Sequence, residues 1–440
     1  MKFFNDDNEE KKDGFLDIEK KVEELENKIL NSSHINTEDM NKGKVKQVSK
    51  VSLKEVEPGI GNTTNYYGEG PKKCVGCGKE MQTTDEKTPG YVIDIEKQDY
   101  CLRCFKIKNY NRLVEQEIND KDFIDILDNI NKEKEKIRYY YVVDIFDLPG
   151  SRLEWLEKLI SSKEVIILAN KVDLLPKSIK NKKVLEYLKD YFSNSVLKNS
   201  KIMLMSSIKE EYVFNLILEL RSVNYDQYII GISNAGKSSL INSCLRLNQQ
   251  IPSIVTSKYV NTTLDKIKIN FTKDNYIYDT PGLIKHNHIA IATAPSFWDY
   301  FFFQKEIKQV TFQLLKGQTI FYGGLAWFSF EEGEILNDKN KVVKTSFHFY
   351  VNKRMPLHRT KSLNAMSYFK KHRQSLTPRL KDISLGFKKN EFYFDKNENV
   401  DINISGLGWI NFKAYPGMKL SITVPKTEFG VIVKKLKPLI

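Results

Sequence analysis

No apolar run in this 440-residue sequence approaches the ~20 residues that a membrane-spanning helix needs, so no membrane partner is expected. Met1-Lys-Phe-Phe-Asn-Asp-Asp7 brings acidic residues where the apolar core of a secretory signal would stand. Residues 1–70, with eleven Lys against fifteen Asp/Glu, are too acidic for an organelle transit peptide. Cysteine is scarce, five in all, and four of the five fall in two matched pairs. With no sign of secretion, a disulfide framework is disfavoured. From Val351 to Lys381 there is no Asp or Glu at all, against nine Lys/Arg.

What is present is basic and globular. The net charge is +13, and because residues 1–70 carry −4, the remainder carries +17. Such a balance suits a polyanionic partner; an AT-rich genome would also inflate the lysine count. An apolar fraction of 41% over this length supports two or three domains, each with its own core. Within residues 1–70, Phe15, Ile18, Val22, Leu25 and Ile29 give two heptads of a short amphipathic helix, and a polar linker follows from Asn31.

Cys74-Val-Gly-Cys77 and Cys101-Leu-Arg-Cys104 are C-x-x-C pairs 23 residues apart. Each can turn on a tight knuckle and present two thiolates to one tetrahedral ion, so a structural zinc site with no open position is expected. Lys72, Lys73, Lys79, Arg103, Lys106 and Lys108 surround it, a set that can meet RNA phosphate or stand as a solvated face. Cys244, alone, reads as a core residue.

Beyond residue 111 the pattern is α/β. Strands are expected at Arg138–Asp144, Glu164–Asn170 and Lys201–Ser207, with a helix over Leu153–Ile160. The second strand delivers Asn170-Lys171-Val172-Asp173, N-K-x-D. An aspartate there accepts from N1–H and the exocyclic amine of guanine, a donor pair adenine lacks. Ser206 and Ser207 stand where a backbone N–H would meet guanine O6. Next comes Gly231-Ile-Ser-Asn-Ala-Gly-Lys-Ser-Ser239, a P-loop between a buried strand and a helix. Its Gly231, Ser233, Asn234, Ala235, Gly236, Lys237, Ser238 and Ser239 are expected to wrap a phosphate chain. Thr262-Thr263 and then Asp279-Thr-Pro-Gly282 follow. Magnesium is expected on Ser238, Thr263 and Asp279, with the Gly282 N–H sensing the γ-phosphate. These motifs run base recognition, serine turn, P-loop, threonine, D-T-P-G. An ordinary GTPase begins at the P-loop, so the chain reads as a circular permutation cut in surface connections. Leu283 stands where signalling GTPases place a water-orienting glutamine, which removes that route to hydrolysis.

From about Phe297 the pattern turns to strands, at Thr319–Gly324, Ser346–Val351, Asp401–Ser405 and Lys419–Val424. The acid-free stretch contains Lys353, Arg354, Arg359, Lys361, Lys370, Lys371 and Arg373, interleaved with His358, Tyr368 and His372. Cations can neutralise phosphates while rings stack on unpaired bases, so RNA contact is expected there.

Permuted motifs behind a four-cysteine knuckle resemble the YqeH family of ribosome-assembly GTPases. Further matches are Cys101-Leu-Arg-Cys-Phe-Lys106 with Tyr110-Asn111, Val143-Asp-Ile-Phe-Asp147, Gly317-Gln318, Phe321-Tyr-Gly-Gly324, His358-Arg-Thr360 and Ser405-Gly-Leu-Gly-Trp409. The resemblance runs from about residue 71 to the end. It implies an α/β fold: a circularly permuted P-loop GTPase domain (111–295) flanked by a small zinc-binding domain (71–110) and a β-rich α+β C-terminal domain (296–440). It also implies a GTP/GDP-, Mg²⁺- and Zn²⁺-dependent factor for small-subunit maturation, partnered by the small ribosomal subunit and its rRNA. The protein is expected to be monomeric and cytoplasmic in a bacterium, or mitochondrial or plastid in a eukaryote. Lys237, Asp279, Gly282, Thr263 and Asn234 carry the expected catalytic roles. Asn234 resembles the asparagine that coordinates K⁺ in related GTPases, which implies slow, potassium-stimulated hydrolysis. Asn261 departs from the family's usual glycine. The competing reading is a non-enzymatic RNA-binding protein that holds zinc and GTP as structural ligands.

Overall fold

The computed structural model describes residues 71–104, 120–248 and 267–440, apart from positions 76, 87, 89, 103, 273, 274, 281, 284 and 304. The amphipathic helix expected over Phe15–Ile29, the segment Phe105–Asn111 and the switch segment Asn261–Asp265 lie outside the described residues.

Residues 71–104 fold on a core of their own, built from Cys74, Cys77, Met81, Val92, Cys101 and Cys104. Two isolated bridges, Lys73 with Glu80 and Gln82 with Tyr91, hold its turns.

The next unit is a sheet covered by helices. In chain order it runs α1 (Asp120–Glu133), β1 (Arg138–Asp144), α2 (Leu148–Ser151), α3 (Glu154–Ile160), β2 (Glu164–Asn170), α4 (Asn181–Tyr191), β3 (Lys201–Leu204), α5 (Glu210–Arg221), β4 (Gln227–Gly231), α6 (Lys237–Leu247), β5 (Ile267–Thr272) and β6 (Asn275–Asp279). Strands lie in the order β3-β2-β1-β4-β6-β5, all parallel except β5 at the edge. Parallel strands are buried on both faces, which is why β1 and β2 read as unbroken apolar runs. Three consecutive tyrosines sit in β1 at no cost in unpaired hydroxyls. Tyr139 donates to Asn131 Oδ1 at 2.9 Å, Tyr140 to Gln227 Oε1 at 2.8 Å, and Tyr141 to the Ser151 carbonyl at 3.3 Å.

Counted from β4 and rejoined to β1, the strands number 2-3-1-4-5-6 across the sheet. On one side β1, β2 and β3 follow outward from the P-loop strand, on the other β6 lies beside it with β5 at the edge, and the permutation changes the order along the chain while leaving the sheet whole. Asp144, Asn170, Gly231 and Asp279 all end strands at one edge, the edge where open α/β sheets bind ligands.

The remainder is β-rich. It comprises β7 (Gln309–Leu314), β8 (Gln318–Tyr322), β9 (Ala326–Glu332), the hairpin β10 (Ile335–Leu336) and β11 (Val342–Val343), β12 (Thr345–Tyr350), β13 (Leu357–Lys361), α7 (Ala365–His372), β14 (Phe387–Phe394), β15 (Glu398–Ile404), β16 (Gly408–Ala414), β17 (Met418–Pro425) and β18 (Val433–Leu436). Two five-stranded sheets, β18-β15-β16-β12-β7 and β13-β8-β9-β17-β14, share an aromatic core of Phe328, Phe330, Phe347, Phe349 and Phe412. Alternation along β8 decides its two faces. Ile320 and Tyr322 enter that core, while Phe321 turns outward to a second cluster with Trp327, Ala365 and Phe369 under α7. This β-rich part meets the α/β sheet where Trp409 packs on Phe146, ring centroids 5.0 Å apart. Gly408 makes that approach possible: at φ +107° a Cβ there would lie 2.0 Å from the Tyr350 carbonyl oxygen and 2.8 Å from the Phe146 ring.

Candidate functional site

Lys237 opens α6 and lies 6% exposed, its ammonium donating to the carbonyls of Gly231 at 3.0 Å and Ile232 at 3.1 Å. Burial lowers its pKa to about 8, with the Asp279 charge opposing. The loop before it is shaped for close backbone approach. A Cβ on Gly231 would lie 2.5 Å from the Val142 carbonyl oxygen, and one on Gly236 would lie 2.2 Å from Asn170 Nδ2. Asn234, at φ +63°, turns the loop in the left-handed region that asparagine tolerates.

The base-recognition motif is tied directly to this loop. Asn170 Nδ2 donates to the Ala235 carbonyl at 2.8 Å across 65 residues of chain. Its Oδ1 is buried and has no hydrogen-bond partner among the described residues. Lys171, at φ +70°, turns back to place its ammonium 2.6 Å from Asp144 Oδ2. Asp173 follows in a single 3₁₀ turn, half-buried at the edge of the site. The serine turn lies alongside. Met205 N donates to the Ala169 carbonyl at 2.8 Å, Ser206 is buried, and the Ser207 carbonyl accepts from Ser243 Oγ of α6 at 2.7 Å.

Asp279 ends β6 fully buried, its Oδ2 accepting from Ser238 Oγ at 3.0 Å. Two oxygen donors converging this closely suit a hard divalent cation such as magnesium. Gly282 is pressed on the P-loop: its carbonyl accepts from Ser233 Oγ at 3.0 Å, and a Cβ there would lie 2.8 Å from Ser233 Cα. Leu283 is 2% exposed and paired with Ile232, Ser233 N donating to its carbonyl at 2.8 Å. Ser239 is half-buried on α6. Thr263, the remaining magnesium candidate, lies outside the described residues.

The four cysteine sulfurs lie within 4.8 Å of one another and all are buried. A tetrahedral zinc with bonds of about 2.3 Å needs sulfur–sulfur edges of about 3.8 Å. Cys77 Sγ and Cys101 Sγ are 3.7 Å apart, and none of the five cysteines forms a disulfide. Cys101 N donates to Cys74 Sγ at 3.1 Å, the kind of bond that steadies a thiolate. The donor set fits the metal.

Lys353, Arg354, Arg359, Lys361, Lys370, Lys371 and Arg373 are all exposed, on the turn after β12, along β13 and at the end of α7. Acid-free in sequence, the stretch is not wholly so in space, for Asp299 lies 3.6 Å from Arg354.

Residues with no assigned role in the sequence reading also gather at this edge. Asp147 accepts from Gly150 N at 3.2 Å, Ser405 Oγ at 2.9 Å, Gly406 N at 3.0 Å and the Lys285 ammonium. A paired aspartate signal, Asp144 and Asp147 closing a buried strand, was the one available clue. No helix of the described residues is long and apolar enough to cross a membrane.

Two family profiles match the chain: one described as "50S ribosome-binding GTPase" over residues 226–308, and one described as "YqeH-like, C-terminal" over residues 344–436. The first begins at the P-loop strand, leaving the base-recognition half upstream of it. The chain is 33% identical over 346 residues to the uncharacterized protein YqeH of Bacillus subtilis, covering 77% of this chain and 92% of that one. It is 25% identical over 430 residues to NO-associated protein 1, chloroplastic/mitochondrial, of Arabidopsis thaliana, covering 83% and 74% respectively. Among solved structures, YjeQ from Thermotoga maritima aligns over 34% of this chain and 48% of its own, with 21% identity and a TM-score of 0.25.

Proposed function

The chain belongs to the YqeH family, and from that premise we propose that it is a GTP-hydrolysing assembly factor of the small ribosomal subunit whose nucleotide state is coupled to rRNA binding. One observation carries the reading. The bond from Asn170 to Ala235 joins guanine recognition to phosphate binding in a single pocket, although the two motifs have exchanged their order in the chain.

In that pocket Asp173 accepts from the guanine edge while the P-loop amides and Lys237 hold the phosphates. Ser238 and Asp279 hold magnesium, joined by Thr263 when GTP is bound; the ion there neutralises phosphate charge. Gly282, already against Ser233, offers its N–H to the γ-phosphate. Leu283 points into the core and cannot orient water, which favours slow intrinsic turnover. Asn234 is the residue we assign to potassium, whose charge serves where an arginine finger would, an effect of about 10³–10⁵ in rate. The bacterial relative favours a bacterial cytoplasmic setting; the name of the plant relative favours an organellar one.

Burial of Leu283 also favours the second reading, in which GTP is only a ligand of an RNA-binding protein. Multiple-turnover hydrolysis measured in K⁺ and Na⁺, alone and with purified small or large subunits, separates the two. We expect faster turnover in K⁺, lost in Asn234→Ala, and further stimulation by small subunits. Equal rates in both salts remove the potassium role. Stimulation by large subunits alone moves the partner to the subunit named in the GTPase profile. No turnover under any condition leaves the second reading.

A further inference from the structure

Between the edge strand β13 and helix α7 three rings form a ladder at the surface. His358 and Tyr368 are stacked, centroids 4.9 Å apart and planes 13° from parallel. Tyr368 and His372, one helical turn apart on α7, follow at 4.6 Å and 37°. The ladder is founded on the core, because Tyr368 also packs on buried Phe321 at 5.4 Å, and Phe321 is the strand partner of His358. Its outer end is open: His358 is exposed, and Tyr368 and His372 are half-buried.

Basic residues accompany the rings along the chain. Arg359 and Lys361 follow His358 on β13 with their side chains on the strand's other face, and Lys370 and Lys371 lie between Tyr368 and His372 on α7. Among the described residues no carboxylate lies within ion-pair distance of any of these four cations. Leu363, 97% exposed, stands in the turn between strand and helix. A merely solvated face has no use for stacked rings at its centre, and a core cluster would have buried His358.

We propose that this face binds single-stranded RNA, with unpaired bases continuing the His358–Tyr368–His372 ladder while Lys370 and Lys371 of α7 neutralise the backbone. The proposal rests on the RNA-partner reading above and names the kind of RNA. Bases in a duplex are closed to such a platform, whereas the π-face of any unpaired base can stack on it. Discrimination is therefore by strandedness and not by sequence.

The test is fluorescence anisotropy of the full chain with a labelled single-stranded RNA and with a hairpin duplex of equal phosphate count, over a salt series. His358→Ala should weaken single-strand binding about tenfold, leaving duplex binding and the salt slope unchanged. Its unchanged thermal midpoint and GTP turnover would show that it folds. Lys370→Ala combined with Lys371→Ala should weaken both RNAs and lower the single-strand salt slope by about 1.4, from two lost phosphates at about 0.7 each. Single-strand binding indifferent to His358→Ala, or equal losses on both RNAs, overturns the stacking proposal while RNA binding stands, and gives the face to a protein strand added at β13. If neither RNA binds below about 100 µM, the RNA-partner reading fails with it.

Discussion

The Lys285 ammonium is held on the carboxylate of Asp147, a residue 138 positions earlier in the chain. Lys285 follows D-T-P-G by three residues, and Asp147 also receives Ser405 Oγ and Gly406 N from the β-rich part. The segment continues in the same way: Ile289 N donates to the Ser405 carbonyl at 3.2 Å, and Asn287 Nδ2 to the Phe429 carbonyl at 2.7 Å. Farther on, Lys381 N donates to the Ala292 carbonyl at 2.9 Å, at the end of the acid-free stretch. Permutation thus leaves Gly282, the residue proposed to meet the γ-phosphate, covalently upstream of the segment that is laced to the basic face. Gly282 and Lys285 are three residues apart in the chain.

Removing one partner of a buried pair leaves an uncompensated charge, so Lys285→Met should lose about 3–5 kcal/mol in urea unfolding. Asp147→Asn should cost a similar amount, and the double variant less than the two losses combined. Hydrogen exchange at residues 405–408 should rise in Lys285→Met more than exchange in β2. Uniform change across the chain would deny the contact its coupling role.

Guanine selectivity should turn on one atom. Asp173→Asn replaces a carboxylate acceptor by an amide that donates toward N1–H and the exocyclic amine. Lost and mispaired bonds at a base edge discriminate by about 10⁴-fold or more in built sites; for half-buried Asp173 a loss of at least about 100-fold in GTP affinity is expected. Xanthosine triphosphate, with an oxygen in place of the amine, should bind the variant better than the parent. Calorimetric titration with both nucleotides reads this directly; retained GTP affinity would remove Asp173 from the base contact.

The local parts of this site were legible because each is short and chemically constrained. The apolar run Glu164–Asn170 is a strand over those same residues, and N-K-x-D follows it at the sheet edge. The third strand ends at Leu204, its last ladder bond running from Met205 N to the Ala169 carbonyl, and the expected serine turn follows. The helix expected from Leu153 begins at Glu154, with Leu153 itself the extended residue that caps it. What could not be read were contacts with no period or motif behind them. Ser405 reaches Asp147 across 258 residues, and the His358–Tyr368 stack depends on a helix folding back over a strand. Only tertiary packing brings such pairs together.

Zinc should stabilise its own module and little else. Its core, Cys74, Cys77, Met81, Val92, Cys101 and Cys104, includes no residue of the large sheet. The purified chain should hold about one equivalent of zinc, and Cys101→Ser should hold none, since three thiolates leave an open position. Hydrogen exchange over residues 72–102 should then rise to the unprotected limit while GTP turnover stays within about twofold. Full zinc content in the variant would remove Cys101 from the ligand set.

A half-buried imidazole and a buried carboxylate at the junction should give acid stability opposite slopes. The His288 ring accepts from Ala290 N at 3.1 Å and lies against Gly406. Burial, reinforced by the Lys285 charge and opposed by Asp147, lowers its pKa to about 3. Between about 6.5 and about 3 the unfolded chain therefore binds a proton that the native chain refuses, and stability falls on acidification by up to ~1.4 kcal/mol per pH unit. Asp401 is the reverse case. Burial raises its pKa to about 6, against hydrogen bonds from Leu439 N and Asn411 Nδ2. The native chain then keeps a proton that the unfolded one releases above about 3.9, so acidification from 6 to 4 favours folding by a similar slope. Asp147, held below the usual carboxylate range against its burial by Lys285 and Ser405, contributes a loss only below about pH 4. These terms nearly cancel between pH 6 and 4. His288→Asn, which keeps an acceptor for Ala290 N, should expose the Asp401 slope and gain stability as pH falls through that window. Asp401→Asn should expose the His288 slope and lose it. Urea midpoints from pH 4 to 7.5 give the three profiles, and parallel curves would show that neither group titrates as its burial requires.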